Sequence, residues 1–242
     1  MIALVHYEWD KLFRGRSLSV HLILYLFTFM ALVFFSKVYL DEKVLILGRS
    51  LHAKTFLATA NDLIYLSGMV YGVWLSARLF IAPANDILTV QLASRLRLTL
   101  AKWGLGAFIM IAYALAGWGL TLALLNLLPS LEGSLLEIRT LAMGIVHALQ
   151  AFTLFSVLAR FFKTSHTFLF VLAALFFIDM FRSGLYRPEA LNYGQYLSHV
   201  IMPSFIQSSG GNLVMMVSPW LVFLINGLFL VMVIIFGLTK EY

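Results

Sequence analysis

Residues 103–131 read WGLGAFIMIAYALAGWGLTLALLNLLPSL, a run without a single Asp, Glu, Lys or Arg. An α-helix rises about 1.5 Å per residue, so about 20 apolar residues cross the roughly 30 Å hydrocarbon core of a bilayer. This run is long enough to cross with residues to spare. Working outward, Leu18 to Ser36 and Thr140 to Ala159 are likewise uncharged. Leu63 to Ala77 is uncharged and extends past Arg78 to Ala82, and Thr164 to Ile178 runs on to Phe181. Ala190 to Thr239 carries no charge at all, too long for one crossing. Pro203, Ser208-Ser209-Gly210-Gly211 and Pro219 break it.

The expectation is an all-α integral membrane protein with about six transmembrane helices. They fall at about 18–40, 58–82, 103–128, 138–160, 164–182 and 213–238, forming one domain over 18–242. An outer segment at 184–211 precedes the last span, with an interfacial or partly re-entrant piece around Tyr196–Ile206. Composition agrees: 62% of the 242 residues are hydrophobic and 12% charged. A soluble domain carries about 45–50% apolar and about 25% charged residues, so a soluble fold of this size could not hide so much apolar surface. With no cysteine, a disulfide framework, a thiolate metal site and a cysteine nucleophile are all excluded.

The formal charge of +6 is explained by orientation. With the N-terminus inside, the cytosolic segments hold ten basic residues against four acidic ones, and the outer segments seven against seven. The whole excess then lies on the cytosolic face, as the positive-inside bias requires, and both termini are cytosolic. The basic excess serves topology rather than nucleic acid. The first span is no cleavable signal, because its apolar run is longer than a 7–15-residue signal core and no small-residue cleavage site follows. Residues 1–17 form a separate element: Ile2, Val5, Trp9, Leu12 and Phe13 share one helical stripe, with His6, Asp10, Lys11 and Arg14 elsewhere. A basic helix with Trp and Leu on its apolar side lies in the membrane interface. An ordinary polar extension is the alternative.

The most informative loop runs from Arg78 to Lys102. Pro83 suits a helix start, and Asp86 falls in the first turn, where the helix dipole favours it. Ile87, Leu88, Leu92 and Leu96 can share an apolar surface, with Arg95, Arg97 and Lys102 toward the C-terminal end. A cytosolic helix is expected at about 84–100.

Here the chain resembles the ABC-2 family of ABC-transporter permeases. In that family the second span is followed by a cytosolic helix resembling E-x-G-T-x-E-L-L…P-x-S-R, with a Lys seven residues after the Arg. Asp86-Ile87-Leu88 stands for E-L-L, Ser94-Arg95 for S-R, and Lys102 has the right spacing. Pro83-Ala84 replaces Gly-Thr, and Leu92 replaces the Pro. The opening His6-Tyr7-Glu8-Trp9-Asp10-Lys11-Leu12-Phe13-Arg14 is similar to the family's amphipathic start, with Glu8, Trp9, Lys11 and Arg14 carrying the likeness.

The resemblance implies a permease subunit of a bacterial or archaeal plasma-membrane exporter, multi-pass and paired with a second copy or a paralogue. Each subunit would dock on a separate cytosolic ABC ATPase that holds ATP and Mg, with no cofactor on this chain. Asp86, Ile87, Leu88, Leu92, Arg95, Arg97 and Lys102 would form its coupling helix, and the cargo would be amphipathic, a peptide or lipid-like. A second contact would come from Arg160-Phe-Phe-Lys-Thr-Ser-His166. A simpler reading of Arg95, Arg97 and Lys102 is that they anchor the third span to anionic headgroups.

Other chemistry fits poorly. Gly48-Arg-Ser-Leu-His-Ala-Lys-Thr55 approaches a P-loop, but Ala53 replaces the second glycine, no strand precedes it and it lies outside. None of the six histidines has a His or Glu spaced as in H-E-x-x-H, so no metal site is expected. Ser183-Gly184 lacks the partners of a serine nucleophile, so no catalytic residue is assigned. Intramembrane polar residues are expensive and face protein or a wet path. His147, Gln150 and Asn226 therefore either line a translocation path or only bond between helices. Gly68, Gly72 and Ser76 recur every four residues and let another helix approach, within the subunit or across a dimer axis. The rival functional readings are a non-transporting membrane assembly or anchoring protein and, less favoured, an intramembrane enzyme.

Overall fold

The uncharged stretches form helices because, in an apolar setting, only the helix satisfies every backbone N–H and C=O within the segment. The computed structural model describes residues 2–41, 49–81, 95–126, 138–161, 205–207, 213–215 and 219–239. Among them six helices run in order: α1 Ile2–Phe13, α2 Arg16–Asp41, α3 Arg49–Phe80, α4 Arg95–Asn126, α5 Ile138–Ala159 and α6 Pro219–Thr239. Between α5 and α6, β1 (Phe205–Gln207) pairs antiparallel with β2 (Leu213–Met215), Ile206 opposite Val214. Two helical stretches, Arg16–Phe34 and Arg95–Leu124, are long and apolar enough to cross a membrane; Ala148–Ala159 and Phe223–Leu238 are shorter apolar stretches.

Gly15 joins α1 to α2. Its φ of 56° is left-handed, which an L side chain resists and glycine accepts, and the Ser17 amide closes the turn on the Arg14 carbonyl at 3.3 Å. The reversal lays α1 across α2 and α4. At the other end of the chain, Pro219 opens α6, where its missing N–H leaves nothing unsatisfied.

α3 lies among α2, α4 and α5, and α6 packs on α4 and α5. The core is built from Tyr71 and Leu75 of α3, Met110 and Tyr113 of α4, and Phe152 and Phe155 of α5, with Leu12 and Val233 from α1 and α6. Leu32, Ala60, Ile64 and Trp118 make a smaller cluster. α4 and α5 approach so closely that a Cβ on Gly106 would overlap the Phe152 ring. The outer faces are apolar too: Leu22, Ile23, Leu26, Phe27 and Met30 of α2 are all about 60% exposed. That surface suits hydrocarbon better than water.

Helix ends and expected span ends differ in four places. The helix expected over 1–17 stops at Phe13, ahead of the Gly15 turn. Helix α3, over which a span was expected from about 58, starts at Arg49, so Lys54 and Asp62 lie within one long helix. Helix α4, over which one was expected from 103, starts at Arg95, because nothing between Arg95 and Trp103 breaks a helix. Helix α6, over which one was expected from Leu213, starts at Pro219, Leu213–Met215 lying in β2. The expected fifth span (164–182), most of the outer segment 184–211 and residues 84–94 of the loop helix lie outside the described residues.

Candidate functional site

One end of the bundle gathers charge. α1 turns Val5, Glu8 and Leu12 inward at helical spacing, so a carboxylate sits on an apolar face. A buried carboxylate is tolerable only with compensating charge. Lys102 of α4 supplies it, Nζ standing 3.7 Å from Glu8 Oε1, and Lys11 Nζ lies 4.0 Å from Oε2. Glu8 has no exposed surface, and the Lys102 side chain is 3% exposed. Lys102, one of the residues expected in the coupling helix, is turned inward. Glu8, expected among the residues of an interfacial helix but not on its apolar stripe, is buried by the fold.

The neighbouring helix ends are tied at the same level. Arg95 Nη1 donates to the Leu238 carbonyl at 3.4 Å, satisfying one of the carbonyls that the last turn of α6 leaves unpaired. Arg160, just past α5, donates from Nη2 to Thr99 Oγ1 at 3.4 Å, and its guanidinium lies 4.6 Å above the Phe80 ring at the end of α3. Phe161 meets Phe236 edge-on at 4.8 Å. The ends of α1, α3, α4, α5 and α6 thus form one connected hub. Arg97 and Arg14 are exposed beside it, and His6 pairs with Asp10 at 3.5 Å on the outer side of α1. Trp9 is 39% exposed and meets Phe13 at a tilt of 30°, ring centroids 4.2 Å apart.

Deeper in, α2, α3 and α4 share a cluster of hydroxyls and rings. A carbonyl only accepts, so His21 Nε2 donates to the Leu12 carbonyl at 3.2 Å, leaving Nδ1 to accept from the Tyr71 hydroxyl. Tyr25, Tyr71 and Tyr113 lie with ring centroids 4.9 to 5.8 Å apart. The Tyr113 hydroxyl donates to Ser67 Oγ at 2.7 Å, and Ser67 donates to the Leu63 carbonyl at 2.6 Å. Thr28 shares its proton between the Leu24 carbonyl (2.9 Å) and the Tyr113 oxygen (2.5 Å). Every hydroxyl proton in this chain of bonds has an acceptor.

The other expected residues fall as follows. Gly68 and Gly72 face Tyr113, Met110, Phe152 and Phe155 of the same chain, and Ser76 Oγ meets Ser156 Oγ at 3.3 Å. That stripe is filled from within the subunit. Gln150 is fully buried on α5 and Asn226 half-exposed on α6; the His147 side chain is outside the description. Asp86, Ile87, Leu88 and Leu92 also lie outside the described residues. The His21–Tyr71–Tyr113 cluster went unnoticed in the sequence. Its signal was there: His21, Tyr25 and Thr28 on one run, and Ser67, Tyr71 and Trp74 on another, recur at i, i+4, i+7.

Among the described residues, no group of three His, Asp or Glu is placed to hold a metal ion. No protein-family model, curated protein or solved structure matches the chain. What the arrangement can do physically is transmit displacement, since a push on the start of α4 reaches four other helices through charged and aromatic contacts.

Proposed function

We propose that this chain is the transmembrane permease subunit of an ABC-2 type exporter. It moves an amphipathic, peptide or lipid-like cargo with ATP hydrolysed, in the presence of Mg, by a separate cytosolic subunit. The observation that carries the reading is the Glu8–Lys102 contact, which pins the amphipathic helix to the helix that begins at Arg95. Six spans with both termini inside belong to the same proposal. Supporting that topology, α5 and α6 both end at the hub, so Phe161 and Pro219 stand at opposite ends of the bundle. The proposed topology needs one crossing between them, assigned to about 164–182, outside the described residues.

In operation, ATP-driven closure of two partner subunits pulls the loop helices of two permease copies together. Each loop moves its α4, and the hub carries α1, α5 and α6 with it, so that nucleotide binding shifts the population between two bundle arrangements. Arg95, at the junction of loop and helix, is the lever's first fixed point. Purification from mild detergent should recover a stoichiometric soluble ATPase. In that complex Arg95→Glu should abolish cargo-stimulated ATP hydrolysis while the permease remains folded. A stable complex without an ATPase would replace this reading by a membrane anchor or assembly role, and unchanged stimulation would remove Arg95 from the coupling path.

A further inference from the structure

Beside the hub, α1 and α4 diverge and leave an open groove of about 250 Å³. Val5 and Trp9 form one wall, and Ala101, Gly104, Leu105 and Phe108 form the floor and the other. Its walls are almost wholly apolar. Gly104 is exposed, and a Cβ there would meet nothing within 4 Å, so the glycine serves no close helix contact and simply keeps the floor open. The volume is below the roughly 300 Å³ at which sites for whole small molecules begin, and fits one hydrocarbon chain better.

The groove is continuous with a longer strip. Phe108, Leu115 and Leu122 follow at seven-residue spacing on the same face of α4 and are 60%, 45% and 38% exposed. In the other direction, seven residues before Gly104, the same face ends in exposed Arg97. Seven helical residues rise about 10 Å. A phosphate held at Arg97 would therefore place the first carbons of its acyl chain at Gly104, and the rest of the chain along the strip. An anion at one end and a single apolar chain at the other define the occupant.

We propose that this groove is a binding site for an anionic phospholipid, with the phosphate at Arg97 and one acyl chain laid over Gly104 between Trp9 and Phe108. The site is independent of any ATPase partner and holds equally if the chain transports nothing. It gives Trp9 a role as the wall of a lipid site rather than a general membrane anchor.

The test uses the full-length protein in nanodiscs of phosphatidylcholine, titrated with brominated phosphatidylglycerol or brominated phosphatidylcholine while tryptophan emission is read. The expected result is quenching by the brominated phosphatidylglycerol at least fivefold lower in concentration. Trp9→Phe should remove that saturable component and leave the quenching of exposed Trp220 by both lipids. Arg97→Gln should equalise the two lipids. Gly104→Leu, which fills the floor without touching the core, should weaken the phosphatidylglycerol component as Arg97→Gln does. Equal quenching of the unmodified protein by the two lipids would overturn the proposal, reducing the groove to a surface wetted by bulk lipid. So would a phosphatidylglycerol preference that survives Trp9→Phe and Arg97→Gln.

Discussion

Replacing Lys102 by Met keeps the length of the side chain and removes its charge, leaving Glu8 buried on the inner face of α1 with Lys11 at 4.0 Å and partly exposed. Two charges about 4 Å apart attract by about 4 kcal/mol at the effective dielectric of a protein near its surface. Removing one partner of a buried pair typically costs about 3–5 kcal/mol, most of it the penalty of the stranded charge. Lys11 compensates in part and the 3.7 Å separation is long for a charged hydrogen bond, so about 3 kcal/mol is expected. That energy should appear locally, because the pair anchors the middle of α1, which is otherwise held through Val5, Leu12, Phe13 and the His21 contact to the Leu12 carbonyl. About 3 kcal/mol is roughly a 150-fold rise in the population of undocked α1. Hydrogen exchange of the amides of α1, with those of α5 as internal reference, reads it directly. Glu8→Leu combined with Lys102→Met removes both charges and should recover most of the loss, since a buried pair replaced by apolar groups is close to neutral. Exchange in Lys102→Met equal to that of the unmodified protein, or a double variant no better than the single one, would refute the reasoning.

Two further substitutions probe the packing. Gly106→Ala forces the Phe152 ring aside, its Cε atoms standing only 2.8 Å from the new Cβ, and should lower stability by about 2 kcal/mol, near 5 °C in thermal unfolding. Gly104→Ala, two residues away and open, should leave the unfolding temperature unchanged; equal effects of the two would contradict the α4–α5 approach described. Tyr113→Phe removes the hydroxyl joining Thr28 to Ser67 and should cost about 1 kcal/mol, the scale of interhelical hydrogen bonds in bilayers. The loss should be non-additive with Thr28→Val in a double-mutant cycle, and simple additivity would mean that the two hydroxyls do not interact.

How much was legible in the sequence follows from which forces act along the chain and which across it. Uncharged length is a local property, and the long uncharged stretches of the described residues lie within α2 to α6, whose ends they do not mark. The mismatches share a cause: charge marks where a span leaves hydrocarbon, not where a helix stops, so Lys54 and Asp62 lie inside α3 and Arg95 and Lys102 inside α4. The resemblance in the loop rests on residues of which only Arg95 and Lys102 are described, and for Lys102 the fold gives an inward direction that spacing alone does not contain. Helical spacing states that Glu8 shares a face with Val5 and Leu12; only the Gly15 reversal, bringing that face onto α4, turns it from a solvated carboxylate into a buried one. The same holds for His21 and Tyr113, whose partners lie on other helices fifty and eighty-five residues away. The hub is therefore a property of the tertiary arrangement, assembled from residues that read singly as topology signals. That double use has a physical logic. On the proposed topology the basic residues that set orientation share one membrane face, so they are close in space once the helices pack and are positioned to bind the helix ends together, and Glu8 is the residue that turns adjacency into attachment.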